Sequence, residues 1–221
     1  MSNLDISLLC ARFPNSVTAA FTQGTFFEQT GKCNDAVRSY KRALALSRNL
    51  HLESFKALGR IYAYQTFDMT SAILCFRHAV QLEPRNAHNQ LMLGLALSSL
   101  GKVHESLQSF YAGLRLQPDP EVELELLFNV ALIHHDLGSS DAINSYKKVI
   151  TVAGSNLNKV ENAGILRCQA QMQCANIYSD RKLFKKALEM LESVDMNTAD
   201  ESTMNTICQT IEFIKRELEM S

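Results

Sequence analysis

The sequence predicts an all-α protein, an α-solenoid of about five helix-turn-helix repeats closed by a C-terminal capping helix. Three observations lead there. Gly24, Gly59 and Gly94 stand 35 residues apart, a period that marks stacked helix pairs. Each is followed 12 or 13 positions on by a small residue (Ala36, Ala72, Ser106), four later by an aromatic (Tyr40, Phe76, Phe110) and three later by another small residue (Ala43, Ala79, Gly113). Finally, 9 glycines and 4 prolines in 221 residues are too few for the turn every 8 to 12 residues or so that an all-β chain needs.

Two weaker copies follow, Ala131, Ala142, Tyr146 and Val149, then Ala175, Ala187, Leu191 and Val194. In all five copies the first two positions are Gly, Ala or Ser. Two amphipathic helices, A and B, cross closely only where side chains are nearly absent, and a large side chain fills the space beside the crossing.

Taken in order, residues 1–14 form an N-terminal segment in which Leu4, Ile6, Leu8 and Leu9 predict a short helix over 3–12. The repeats occupy 15–50, 51–85, 86–120, 121–156 and 157–198. Gly31, Gly101 and Gly138 end the first helix of three copies, as a left-handed cap does. Pro84 and Pro118 close second helices, and Asp119-Pro120-Glu121 reads as an N-cap, a first-turn proline and an acid facing the helix dipole. The second copy has one extra residue in its turn and the fourth one too few, and the fifth carries Lys182 in place of the turn glycine. Residues 157–167 are extra and predict an N-terminal extension of the fifth helix A. Over 199–221, Met204, Ile207, Cys208, Ile211, Ile214 and Leu218 recur at helical spacing behind a Thr198/Glu201 capping box, predicting the cap helix. A stack of helix pairs needs such a cap over its last apolar face.

In the third copy Leu93-Gly94, Leu97, Gly101, Ser106, Phe110, Gly113 and Pro118 resemble the tetratricopeptide (TPR) pattern of leucine-glycine, large apolar, glycine, small, aromatic, small, proline. The second copy resembles it nearly as well, the first lacks the proline, and the resemblance spans about 185 residues. It implies a single domain over 1–221 coiled into a right-handed superhelix. It also implies that the A helices line a concave groove holding a segment of another protein. Carried onto this sequence, the groove presents Lys56, Arg60, Tyr64, Leu91, Leu95, Phe128, Leu132 and His135. Lys56 and Arg60, one turn apart, are expected to meet an acidic group and the apolar residues to act as anchors. The carboxylate clamp of some TPR co-chaperones is not reproduced, because Met92, Glu125 and Asn129 stand where an asparagine and two cations are required.

These features imply a non-catalytic adaptor or scaffold with a protein or peptide partner. The alternatives are a structural subunit of an assembly, working through its convex face or terminal helices, and an accessory arm of a separate enzyme. With 22 Lys and Arg against 23 Asp and Glu, no excess positive charge points to nucleic acid or an anionic membrane. No apolar run approaches the roughly 20 residues that span a bilayer. The first residues also lack a basic leader, so a cytoplasmic protein, or a nuclear one, is expected. The six cysteines never come closer than six positions, which builds no local zinc or redox motif. His134-His135-Asp136 is the one provocative cluster, but consecutive helical residues point roughly 100° apart. His134 therefore reads as the core aromatic of its repeat and His135 as an inner-face residue. Neither a cofactor nor a metal is expected, and no phosphate-binding or nucleophile-elbow motif occurs.

Overall fold

The computed structural model describes residues 3–199 and 201–219, with the side chains of Asn3, Leu4 and Ser7 left aside. The expectation for Leu4 and for the last two residues of the cap lies outside the described residues. The described chain is helical throughout, with no strand: α1 (Asn3–Arg12), α2 (Val17–Gln29), α3 (Cys33–Leu46), α4 (Leu52–Tyr64), α5 (Met69–Leu82), α6 (Ala87–Ser99), α7 (Val103–Arg115), α8 (Pro120–Asp136), α9 (Ala142–Ser155), α10 (Ala163–Asp180), α11 (Phe184–Glu192), a 3₁₀ turn (Met196–Thr198) and α12 (Glu201–Glu219). The A/B pairs are α2/α3, α4/α5, α6/α7, α8/α9 and α10/α11. The fold divides into two compact units, residues 1–109 and 110–221, with the boundary inside α7.

In the first unit the small residues are small for a measurable reason. A Cβ on Gly24 would stand 2.5 Å from the Tyr40 ring, and one on Gly59 would stand 2.5 Å from the Phe76 ring. Tyr40 and Phe76 are buried, as are Ala36, Ala43, Ala72 and Ala79. Where the third pair has serine, the buried Ser106 Oγ donates to the Gly94 carbonyl at 2.8 Å, so its polar atom is satisfied. The predicted N-terminal helix is present as α1, which seats Ile6 and Cys10 against Ala19 and Phe26.

The second unit has one continuous core running from Leu124 and Ala131 through Tyr146, Ala170 and Cys174 to Leu191, Ile207 and Ile214. Its entry is set by Asp119, whose carboxylate accepts from the N–H groups of Glu121 and Val122 at 3.1 Å, with Pro120 opening α8. Ile207 and Ile214 of α12 are wholly buried, as a cap requires.

Four of the five turns between paired helices follow one hydrogen-bond scheme. Gly31, Gly101 and Gly138 have φ of 73°, 72° and 61°. The N–H after each reaches back to close the helix, Lys32 to Phe27 O, Lys102 to Leu97 O and Ser139 to His134 O, at 2.8–2.9 Å. Lys182, the substitute for glycine, adopts φ 56°, and Leu183 N–H closes onto Tyr178 O at 2.8 Å in the same way. The extra residue of the second turn is Phe67, at φ 55° and exposed.

Two expectations are corrected. Residues 157–162 do not extend the fifth helix A, because α10 starts at Ala163. Asn156 ends α9 instead, its side chain donating to Val152 O and its carbonyl accepting from Lys159 and Val160 N–H. Asparagine competing with the helix ladder in this way makes a turn, and the buried Val160 pins it. Thr198 is not the cap of α12: its hydroxyl donates to Asp195 O at 2.7 Å, inside the 3₁₀ turn, and α12 begins three residues later.

Candidate interaction surfaces

Once the repeat residues are buried, the A helices retain one row of side chains outside the core. In the first unit this row includes Glu28, Lys56, Arg60, Tyr64 and Leu95. Tyr64 is 57% exposed and Leu95 half-buried. Leu91 is wholly buried, because its side chain packs in the stack, so it offers no surface. The two cations are engaged by the chain itself. Lys56 Nζ lies 3.2 Å from Glu53 and 3.7 Å from Glu83, and Arg60 lies 3.7 Å from Glu28. A ligand carboxylate would therefore share these cations with three resident acids.

In the second unit Phe128, Leu132 and His135 are half-buried. Phe128 and Leu132 lean on the core, with Phe128 edge-on to the Tyr146 ring at 6.3 Å. His135 meets the same ring edge-on at 5.9 Å and places Nδ1 3.3 Å from the Tyr146 hydroxyl.

The row has a structural duty that pattern matching on the core positions did not reveal. Glu28 and His135 occupy the same register, four residues after the small residues Gly24 and Ala131. Each holds the hydroxyl of the core tyrosine of its repeat, Tyr40 donating to Glu28 Oε2 at 2.6 Å and Tyr146 meeting His135. In the second repeat the aromatic is Phe76 and the equivalent position is Ala63, buried and apolar. In the third repeat, where the aromatic is Phe110, the equivalent position is the exposed Ser98, so the sequence signal is a tyrosine at the aromatic position together with a polar residue four after the small one. Burial, joined at Tyr40 by the Glu28 bond, pushes the Tyr40 phenol well above its ordinary range, and burial with the nearby Asp136 charge does the same at Tyr146.

His134 and His135 serve different partners. Rather than filling the core as an aromatic would, His134 is half-buried, with Nδ1 2.8 Å from Ser145 Oγ and Nε2 3.4 Å from the Tyr111 hydroxyl. Among the described residues, no group of three or more His, Cys, Asp or Glu is placed to hold a metal ion, and no helix is long and apolar enough to cross a membrane.

A tetratricopeptide-repeat family model matches residues 53–86 and 87–120, the second and third of the helix pairs described above. The chain contains tetratricopeptide repeats. Among curated proteins, none matches this TPR chain in sequence. Its fold is that of several solved structures. MamA has a TM-score of 0.64 at 22% identity, with 80% of this chain and 92% of that one covered. YrrB, described as a TPR protein with an unusual peptide-binding site, has a TM-score of 0.66 at 16% identity, with 92% and 97% covered. PilF of Pseudomonas aeruginosa has 0.64 at 14%, with 92% and 90% covered. At these identities the likeness is one of fold. The repeat pattern accounts for the buried positions, and the A-helix row lies outside it.

Proposed function

We propose that this TPR protein is an interaction scaffold that holds a segment of a partner polypeptide against the A-helix row, and that it does no chemistry of its own. In the first unit the contact residues are Arg60, Tyr64 and Leu95, with Lys56 adding charge beneath them. In the second they are Phe128, Leu132 and His135. The observation that carries this reading is the exposure of Tyr64 on a helix whose Phe55, Leu58 and Ile61 are buried, with a cation one turn before it and a half-buried leucine, Leu95, at that cation's equivalent position in the next A helix. Tyrosine and arginine are among the residue types that dominate binding energy at protein interfaces, and the leucine adds apolar contact area. Because Lys56 and Arg60 already pair with acids, charge contributes to the rate of encounter more than to the lifetime of the complex.

The test is selection of displayed peptides on the purified full chain, followed by affinity measurements on Tyr64→Ala, Leu95→Glu and Leu132→Glu variants checked for unchanged melting temperature. Loss of an interface anchor is expected to weaken binding by about tenfold or more. Selected peptides that bind all three folded variants as tightly as the wild type would move the site off this row. The reading as an assembly subunit working through the terminal helices would then take its place, since Leu8 and Phe13 at the front and Phe213 on α12 are exposed.

A further inference from the structure

Where a helix B, the next helix A and its own helix B meet, one device recurs in this chain. The residue after the core aromatic supplies a cation to the following repeat. In the first unit Lys41 Nζ stands 6.0 Å from the Tyr62 ring, and Arg77 bonds Glu105 at 2.6 Å across a cleft of about 230 Å³. In the second unit Lys147 Nζ stands 6.0 Å from the Tyr178 ring, beside a cleft of about 300 Å³. Lys41, Arg77 and Lys147 each follow the core aromatic (Tyr40, Phe76, Tyr146) by one position.

At the junction of α7, α8 and α9 the device is missing. The position after Phe110 is Tyr111, and the ring that a cation would cover is replaced by His134, which bridges Tyr111 and Ser145. The acid remains. Asp141 directly precedes the small residue Ala142 as Glu105 precedes Ser106, so it is the counterpart of the carboxylate that Arg77 neutralises. Its carboxylate does not cap α9, and no ion pair is formed by it among the described residues. The cleft here is about 560 Å³, more than twice that at Arg77, with Leu114, Leu127 and Val130 as its apolar wall. Lys148 also lines it, but seven residues along α9 from Asp141, roughly 10 Å at the helical rise. That separation confines an incoming positive charge to the Asp141 end.

We propose that this cleft receives an arginine side chain from a partner protein, a docking site separate from the A-helix row. The guanidinium takes the place that Arg77 occupies one repeat earlier, pairing with Asp141 and lying against the Tyr111 ring, while its methylenes cover the aliphatic wall. Arginine fits because a planar fork can meet a carboxylate and an aromatic face together. The remaining volume admits the apolar residues flanking it, which a lone cation would leave empty. The site shares no residue with the surface proposed above and stands or falls independently of it.

The full chain, ¹⁵N-labelled, is titrated with the tripeptide acetyl-Leu-Arg-Leu-amide, with its glutamate counterpart and with arginine amide, following the backbone amides of Asp141 to Ser145. The arginine tripeptide is expected to give saturable shifts there, with an affinity at least about fivefold above both controls. Asp141→Asn is expected to weaken it at least about fivefold with melting temperature unchanged. Tyr111→Arg is expected to rebuild the internal pair, raise the melting temperature and abolish the peptide shifts. Equal binding of the glutamate tripeptide, an unaffected Asp141→Asn variant, or full binding to Tyr111→Arg would overturn the proposal. Arginine amide binding as tightly as the tripeptide would also overturn it, by making this a small-cation site rather than a docking site.

Discussion

At Gly59 two physical preferences oppose each other. A helix interior favours alanine over glycine by about 1 kcal/mol, but the methyl group would sit 2.5 Å from the Phe76 ring, which is buried and has nowhere to retreat. Overpacking of this kind costs about 1 to 3 kcal/mol, so Gly59→Ala is expected to lower stability by about 1 kcal/mol or more. A smaller residue at position 76 should restore part of the loss. Denaturant unfolding of both single variants and the double variant checks this, and a Gly59→Ala protein as stable as wild type would reject the crossing geometry. Tyr40 illustrates the polar side of the same crossing. Removing its hydroxyl strands a carboxylate that also serves Arg60, and a hydrogen bond to a charged group is worth about 1.5 to 3 kcal/mol. Because the folded state raises the phenol's pKa, it retains a proton that the unfolded chain gives up near pH 10. The associated stability is complete below that pH and declines as pH rises further. Tyr40→Phe should therefore be less stable at neutral pH and show a shallower loss above pH 10 in thermal melts across that range.

Among the helix pairs, the turn residues show how far a consensus can be relaxed before the element changes. Three turns use glycine at positive φ and the fifth uses Lys182 at φ 56° with the same closing bond. The backbone scheme, not the residue type, is therefore what the pair requires. A side chain in that conformation costs about 1 to 2 kcal/mol, partly offset because glycine gains entropy in the unfolded chain. Lys182→Gly is expected to stabilise by about 0.5 to 1 kcal/mol, and a drop in melting temperature would contradict the strain argument. The pairs themselves were legible because burial demands the same residue sizes at the same spacing in every copy. The segment 157–162 was not, because a few extra residues can lengthen a helix or form a turn. The outcome rests on Asn156, whose bonds to Val152, Lys159 and Val160 close a local turn, and on Val160, which is buried in the core of the second unit. Thr198 was misread for a related reason, since the Thr-x-x-Glu spacing marks a cap only if the threonine lacks a closer carbonyl, and Asp195 provides one.

For the molecule as a whole, the sequence disclosed the buried positions far better than the surface, since each core residue is constrained by its repeat while each surface residue depends on its neighbours. Lys56 and Arg60 read as cations for a partner's acidic group until the structure placed Glu28, Glu53 and Glu83 beside them, and Leu91 read as an anchor until it was found buried. The cleft at Asp141 is visible in the sequence only as a break in a second periodicity, the cation after the core aromatic, which becomes meaningful once Arg77 is seen to pair with Glu105. The cysteines give a test of the whole arrangement because they sample both units. Cys10 and Cys75 are buried in the first, Cys168 and Cys174 in the second, while Cys33 is half-buried and Cys208 exposed on α12. Burial pushes the Cys75 and Cys174 thiols up to about 11, and the thiolate is the species that reacts. Alkylation of the native protein near neutral pH is therefore expected to modify Cys208 first and Cys33 more slowly. The four buried thiols should react only through opening of the helices that cover them, and all six should react in denaturant. Mass spectrometry of timed samples resolves the order. Early modification of Cys174 would mean that the core joining α8, α9 and α10 is open, and early modification of Cys75 would mean the same for the packing of α4 against α5.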